Sequence, residues 1–222
     1  MKGLTAGIAI ALIVVFGILS AGTAHAKDKV SVYEVTVTNI TRGQIISPPI
    51  VISHNGRFKL FSLGDPATPG LAALAEDADT TELKNELDAS SSVYDANEAG
   101  DVILPGLSAT VQIKTRRGFQ RISAAGMLVT TNDAFFAVRN VYARYWGDSV
   151  DFARAYDAGS EVNSEDCDYI PGPPCGNGGV RDTDGAEGYV YVHSGIHGNG
   201  DLAAADFDWQ NPVAKIVVKK VK

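Results

Sequence analysis

Alternation with a period of two runs through much of the chain. In "YEVTVTN", Tyr33, Val35 and Val37 fall on one face and Glu34, Thr36 and Thr38 on the other, the pattern of a half-buried strand. "PPIVISH" predicts a second strand, opening at Pro48 and Pro49, which suit the beginning of an edge strand and not its middle. "GRFKLFSLG" predicts a short alternating piece between Gly56 and Gly64. Strand signals return in "DVILPGLSATVQIKT", "RISAAGMLVTTND", "AFFAVRNVYA", "VDFARAYDAG", "GYVYVHSG" and "NPVAKIVVKKVK". Between the early and late strands, "PGLAALAEDADTTELKNELDA" is rich in Ala, Leu and Glu. It predicts two short helices, with Thr80 or Thr81 capping the second and Leu83 and Leu87 sharing its buried face. Eight to nine short strands without regular helix alternation predict an all-β fold, an antiparallel β-sandwich with one or two short helices.

The chain of 222 residues is 45% hydrophobic, enough for one substantial core and therefore one domain. Its first 26 residues stand apart. Lys2 precedes the apolar run Ile8 to Leu19, and "AHA" at Ala24 to Ala26 is a small-x-small cleavage pattern, so residues 1–26 read as a secretory signal peptide. The folded domain is expected over residues 27–222, exported to the periplasm or beyond, with no membrane span after cleavage.

Export determines how the cysteines are read. Cys167 and Cys175 flank "DYIPGPP" and have no competitors, so in an oxidising compartment they form one disulfide. Such a short loop gains about 2–3 kcal/mol from closure. Charge narrows the partners. Of 19 Lys and Arg only Lys2 lies in the signal, leaving 18 basic against 26 acidic side chains. An acidic domain without a basic stretch interleaved with aromatics is a poor match for nucleic acid. The basic cluster "KKVK" at Lys219 to Lys222 reads as a solvated edge that discourages sheet aggregation.

Enzyme signatures are missing: the chain contains no GxSxG, HExxH or phosphate-binding loop. The acids are more informative. Calcium takes about six to eight oxygen ligands from carboxylates, carbonyls and water, commonly on loops that glycine lets turn tightly. "YDAGSE" offers Asp157 and Glu161 around Gly159, and "TTNDAFF" places Asp133 at the mouth of a strand. If both turns lie at one end of the sheet, three carboxylates converge and a cation neutralises them. "DTDGAEG", with Asp182, Asp184 and Glu187, is an incomplete calcium loop and reads as a solvated turn. A competing centre would use His193, His197 and Asp201 of "HSGIHGNGD" as a metal-dependent hydrolase, but the glycines between and after the histidines remove the helical spacing that zinc favours.

Several ordered motifs carry a family resemblance: "YEVTVTNITRGQIISPPIVISHNG", "FSLGDPATPGLAALAEDAD", "MLVTTNDAFFAV", "AYDAGSEVNSED", "YIPGPP" and "GYVYVHSGIHGNGDL…DWQNPVAKI". From about Tyr33 to Val221 the chain resembles a bacterial spondin domain, related to a module of the vertebrate F-spondin and mindin proteins. The resemblance implies a secreted β-sandwich like a C2 domain, with Ca2+ held by loops at one end. Its ligands would fall on Asp133, Asp157 and Glu161. Glu161 stands where the family's turn has Asp, and its extra methylene leaves direct and water-mediated coordination both open. The relatives' additional adhesion modules have no counterpart here. The expectation is a non-enzymatic, calcium-stabilised module that binds a protein or glycan, with Trp146 and Trp209 as interface candidates.

Overall fold

The computed structural model describes residues 29–222, so the apolar run and cleavage pattern of residues 1–26 lie outside the described residues. Among the described residues nine strands form one antiparallel sheet: β1 (Ser31–Asn39), β2 (Ile50–His54), β3 (Val93–Glu98), β4 (Ser108–Thr115), β5 (Arg121–Met127), β6 (Ala134–Tyr142), β7 (Ser149–Asp157), β8 (Tyr191–Val192) and β9 (Ala214–Lys220). Their order is β3-β2-β5-β6-β7-β9-β1-β4, with the two-residue β8 added beside the end of β7. Among the described residues three α-helices accompany them, α1 (Pro69–Asp77), α2 (Thr81–Ala89) and the single turn α3 (Ala204–Phe207), with a 3-10 turn at Cys167–Tyr169. Among the described residues no helix is long and apolar enough to cross a membrane.

β7 joins the two halves of the sheet. Its last residues pair with β6, from Arg154 opposite Ala137 to Asp157 opposite Ala134. Its first residues pair instead with β9, from Ser149 opposite Val218 to Ala153 opposite Ala214. The sheet therefore wraps round nearly into a barrel, and period-two alternation sends one side chain in two to the interior. Tyr33, Val35 and Val37 of β1 meet Ile216 and Val218 of β9, Val111 and Ile113 of β4, and Phe136 of β6 there.

A second apolar layer lies outside the barrel. Ile50 and Ile52 of β2 and Phe135 and Ala137 of β6 pack against Leu71, Leu74, Leu83 and Leu87 of the two helices. These strands are covered on both faces, which is why "AFFAV" reads as an unbroken apolar run. Thr80 is the N-cap residue of α2 but makes no side-chain capping bond: its hydroxyl donates to Glu98 Oε2 at 2.9 Å, and Asp79 Oδ1 accepts from Thr81 N at 2.8 Å. α1 is capped by Thr68, whose hydroxyl accepts from Leu71 N at 3.2 Å. The alternating piece expected in "GRFKLFSLG" is irregular chain instead. Its consecutive Leu60 and Phe61 both face the outer layer, which an extended strand would forbid. Phe61 meets Phe135 edge-on with ring centroids 5.3 Å apart.

β3 has no apolar face for sequence to reveal, being half-buried along its whole length. It works through polar side chains at the seam between the path's two ends. Asp95 Oδ2 accepts from Lys114 N at 2.7 Å, and Asn97 Nδ2 donates to Gln112 O at 3.0 Å. Ser53 Oγ on β2 donates to Lys114 O at 2.7 Å. Side chains thus satisfy the outer edge of β4 that no strand pairs, removing a template for aggregation. Asp95→Ala is expected to lower unfolding free energy by about 1–3 kcal/mol, as loss of a hydrogen bond to a charged acceptor does. Hydrogen exchange of the Lys114 amide should accelerate in that variant while Val35 amide protection holds, and unchanged Lys114 exchange would refute the seam.

Candidate functional site

The "TTND" and "YDAGSE" turns meet at one end of the barrel. Asp157 is the last residue of β7 and lies opposite Ala134, the first of β6. Directly before Ala134, Asp133 accepts Ala158 N on its carbonyl at 3.2 Å. Thr131 fixes the first turn, its hydroxyl donating to Leu128 O at 2.6 Å and accepting from Ala134 N at 3.0 Å. The second turn needs Gly159, whose φ of +67° is left-handed and where a Cβ would overlap the Tyr189 backbone.

All three predicted acids are at 0% exposure. Asp133 Oδ2 accepts from Ser160 N at 2.8 Å, Ser160 Oγ at 3.2 Å and Glu161 N at 3.0 Å, tying the two turns together. Asp157 Oδ1 accepts from Gly159 N at 2.7 Å and its Oδ2 from Asn163 Nδ2 at 2.6 Å. Glu161 Oε1 accepts from Asp182 N at 3.0 Å. Two oxygens have nothing: Asp133 Oδ1 and Glu161 Oε2 are buried without a hydrogen-bond partner. Unpaired buried acceptors of this kind cost about 1–3 kcal/mol each, and more when charged.

Electrostatics follow from that burial. Desolvation raises the Asp133 pKa well above the ordinary range, and the neighbouring Asp157 carboxylate raises it further. Asp157 is raised by desolvation, against the opposing bonds from Asn163 and Gly159. Burial pushes Glu161 up to about 7, with Glu76 and Asp77 adding to the rise. Arg181 stands nearby but pairs with Glu76 at 2.5 Å and with Asp77, docking the long loop onto α1. That loop also carries the Cys167–Cys175 disulfide. Of the "DTDGAEG" acids, Glu187 accepts from Tyr191 OH at 3.0 Å, and Asp182 serves the site through its backbone.

Among the described residues, no three His, Cys, Asp or Glu side chains are gathered into a ready-made metal cage. This holds for the three acids and for His193, His197 and Asp201 alike. The acids would hold a cation with help from backbone carbonyls or water, which calcium accepts. The histidines are otherwise engaged. His193 is buried and its pKa falls to about 4, chiefly by desolvation, so the ring is neutral. Its Nδ1 accepts from Gly195 N at 2.9 Å, which leaves Nε2 to donate to Asn163 Oδ1 at 3.0 Å. The 3.8 Å approach of Nε2 to Asp157 Oδ2 is therefore no ion pair. His197 Nε2 bonds Ser194 Oγ at 2.8 Å, and Asp201 Oδ2 accepts from Cys167 N at 3.0 Å.

Two residues that sequence reading passed over organise this end. Asn163 links His193 to Asp157 through its amide. Glu165, buried with a left-handed φ of +57°, accepts His197, Gly198 and Asn199 N–H groups at 2.5, 2.6 and 2.7 Å. The glycines of "HGNG" therefore shape an anion nest that the chain fills with its own carboxylate. The Gly-rich run after His197 was the available signal. The interface candidates separate: Trp146 is 83% exposed, but Trp209 is only 8% exposed, its ring centroid 5.0 Å from that of His193, and it belongs to the core.

An acid whose pKa is raised by folding keeps a proton that the unfolded chain has released. Its contribution is fully present below the unfolded value, near 4.5 for Glu161, and is lost as pH rises through the folded value near 7. In chelator, denaturant unfolding should show stability falling by roughly 2–3 kcal/mol between pH 5 and pH 8. Asp133→Asn, which keeps an acceptor for Ser160 and Glu161, should flatten that slope. A metal-free stability that rises over the same range would contradict the burial of these charges. No protein-family model matches the chain, and no curated protein matches its sequence.

Proposed function

We propose that this chain is an exported, non-enzymatic module whose acidic end takes up calcium and which binds a protein or glycan. The observation that carries the calcium reading is the pair of buried oxygens without partners, Asp133 Oδ1 and Glu161 Oε2, beside the buried Asp157 carboxylate. Bare carboxylates this deep must be protonated or neutralised, and a hard divalent cation is the neutralising partner suited to oxygen ligands on loops. Asp133 and Glu161 would supply the direct oxygens, with Asp157 adding charge. Bound there, the ion would add an electrostatic cross-link between two turns that the Asp133 carboxylate and the Ala158 N–H to Asp133 carbonyl bond already join.

The resemblance to spondin domains supports the same residues and adds the C2-like β-sandwich as the finer description of the fold. β7, shared between the two halves of the sheet, is compatible with it by folding those halves over one interior. The competing reading as a metal-dependent hydrolase draws on His193, His197 and Asp201. It has less support, because His193 spends both ring nitrogens on loop bonds and Asp201 binds a backbone N–H.

A ligand that binds only the folded state stabilises it by about 2.7 kcal/mol at a hundredfold excess over its dissociation constant. Calcium titration should therefore raise the thermal midpoint above that in chelator, with magnesium acting more weakly. Asp157→Asn should fold and lose most of the shift. An identical midpoint in calcium and chelator would refute the reading, and tightly bound zinc lost in His197→Ala would favour the hydrolase.

A further inference from the structure

The opposite end of the barrel has the opposite charge. β7 runs from Ser149 at that end to Asp157 in the acidic site, eight steps of about 3.3 Å or roughly 26 Å. Two clefts open there and share Tyr145 as a common wall. One, of about 390 Å³, lies between the β6–β7 turn and the end of β9 and is lined by Trp146, Lys219, Lys220 and Lys222. The other, of about 240 Å³, is lined by Lys29, Arg116 and Arg117. Asp148 is the single acidic side chain among the residues lining the two clefts. None of these six cations makes an ion pair with a carboxylate among the described residues.

The aromatics are set for contact. Trp146 stands at the tip of the turn, 83% exposed, and meets Tyr145 edge-on with ring centroids 5.0 Å apart. Lys220 Nζ lies 3.6 Å from the Tyr145 ring centroid, which steadies the base of this platform. An exposed indole facing solvent beside unpaired cations suits a ligand with an apolar ring face and a carboxylate at its edge. A pyranose of a uronic acid has both: its C–H face stacks on Trp146 while the carboxylate reaches Lys219 or Lys222.

We propose that this basic end is a binding site for an acidic glycan containing uronic acid residues. The proposal deepens the glycan arm of the module reading and rests on it. A membrane surface fits less well, since this end carries no amphipathic helix among the described residues. Duplex DNA, with one charge per about 1.7 Å, would meet stronger repulsion from the acidic remainder of the protein than a glycan with at most one charge per sugar. The second cleft lies beside the first, so a chain of sugars lying across Tyr145 would reach Lys29 and Arg117, while the Arg116 guanidinium is held 4.7 Å from the Tyr94 and Phe119 ring centroids.

The experiment is isothermal titration of the full domain with hyaluronan and oligogalacturonate octasaccharides in chelator, with dextran as the neutral control. Saturable binding to at least one uronate probe, absent with dextran and weakening as salt is raised from about 50 to 300 mM, is expected. Trp146→Ala should weaken it by about tenfold or more. Lys219→Glu with Lys222→Glu should remove it, each variant melting like the parent because all three side chains are exposed. Asp157→Asn should bind the glycan normally, so a failed calcium reading and a failed glycan site are told apart. No heat with either uronate, equal binding of dextran, or full affinity in Trp146→Ala would overturn the proposal. So would binding confined to phosphatidylglycerol vesicles or duplex DNA, or self-association at low salt as the only interaction.

Discussion

The carboxylate of Asp133 receives the N–H groups of Ser160 and Glu161 from a different turn, and the geometry of the acidic end depends on this bond. Strand pairing and the Ala158 N–H to Asp133 carbonyl bond set the two turns side by side, and the carboxylate bond fixes the second turn against the first. With it, Glu161 turns inward, Asp182 is drawn to the Glu161 side chain, and the long loop that follows is anchored close to its start. The same bond uses only one oxygen of Asp133. The other remains buried and bare, so the interaction that assembles the site also leaves it short of positive charge.

That shortage is not relieved from within. The nearest guanidinium, Arg181, is held by Glu76 and Asp77 of α1. The nearest imidazole, His193, is kept neutral by burial. The backbone N–H groups of His197, Gly198 and Asn199 are taken by Glu165. These donors are committed to holding loops, so burial instead raises the affinity of the three acids for protons.

Charge is also sorted along the barrel. Carboxylates are concentrated at the end where β7 finishes, and unpaired lysines and arginines where it begins. An acidic total therefore describes one end and not the other. A composition-level rejection of anionic partners applies to the molecule seen from a distance, beyond the screening length of about 8 Å in physiological salt. It does not apply inside a cleft lined by Lys219 and Lys222.

Much of the fold was legible because alternation is a local property. β1 and β9 each bury one face, so Tyr33, Val35, Val37, Ile216 and Val218 announce themselves in the text. The two helices show through their Leu spacing, and the disulfide through the absence of rival cysteines. β3 did not show, since "VYDANE" sits half-buried and contributes polar bonds to a neighbour remote in sequence. Leu60 and Phe61 misled because an apolar pair beside polar residues looks the same in a strand as in a covering loop. Trp209 looked exposed by its place in a loop, although the loop packs it on His193.

By itself the sequence determined most of the strands but not β3, together with the helical interruption, the paired cysteines and the acid-bearing turns, all of which depend on residues close together in the chain. Tertiary structure alone decided that Asp133 and Asp157 share an end, that Asn163 and Glu165 organise it, and that scattered cations gather around Tyr145. These are consequences of strand order and register, which bring together residues far apart in the chain and leave no periodic trace in the text.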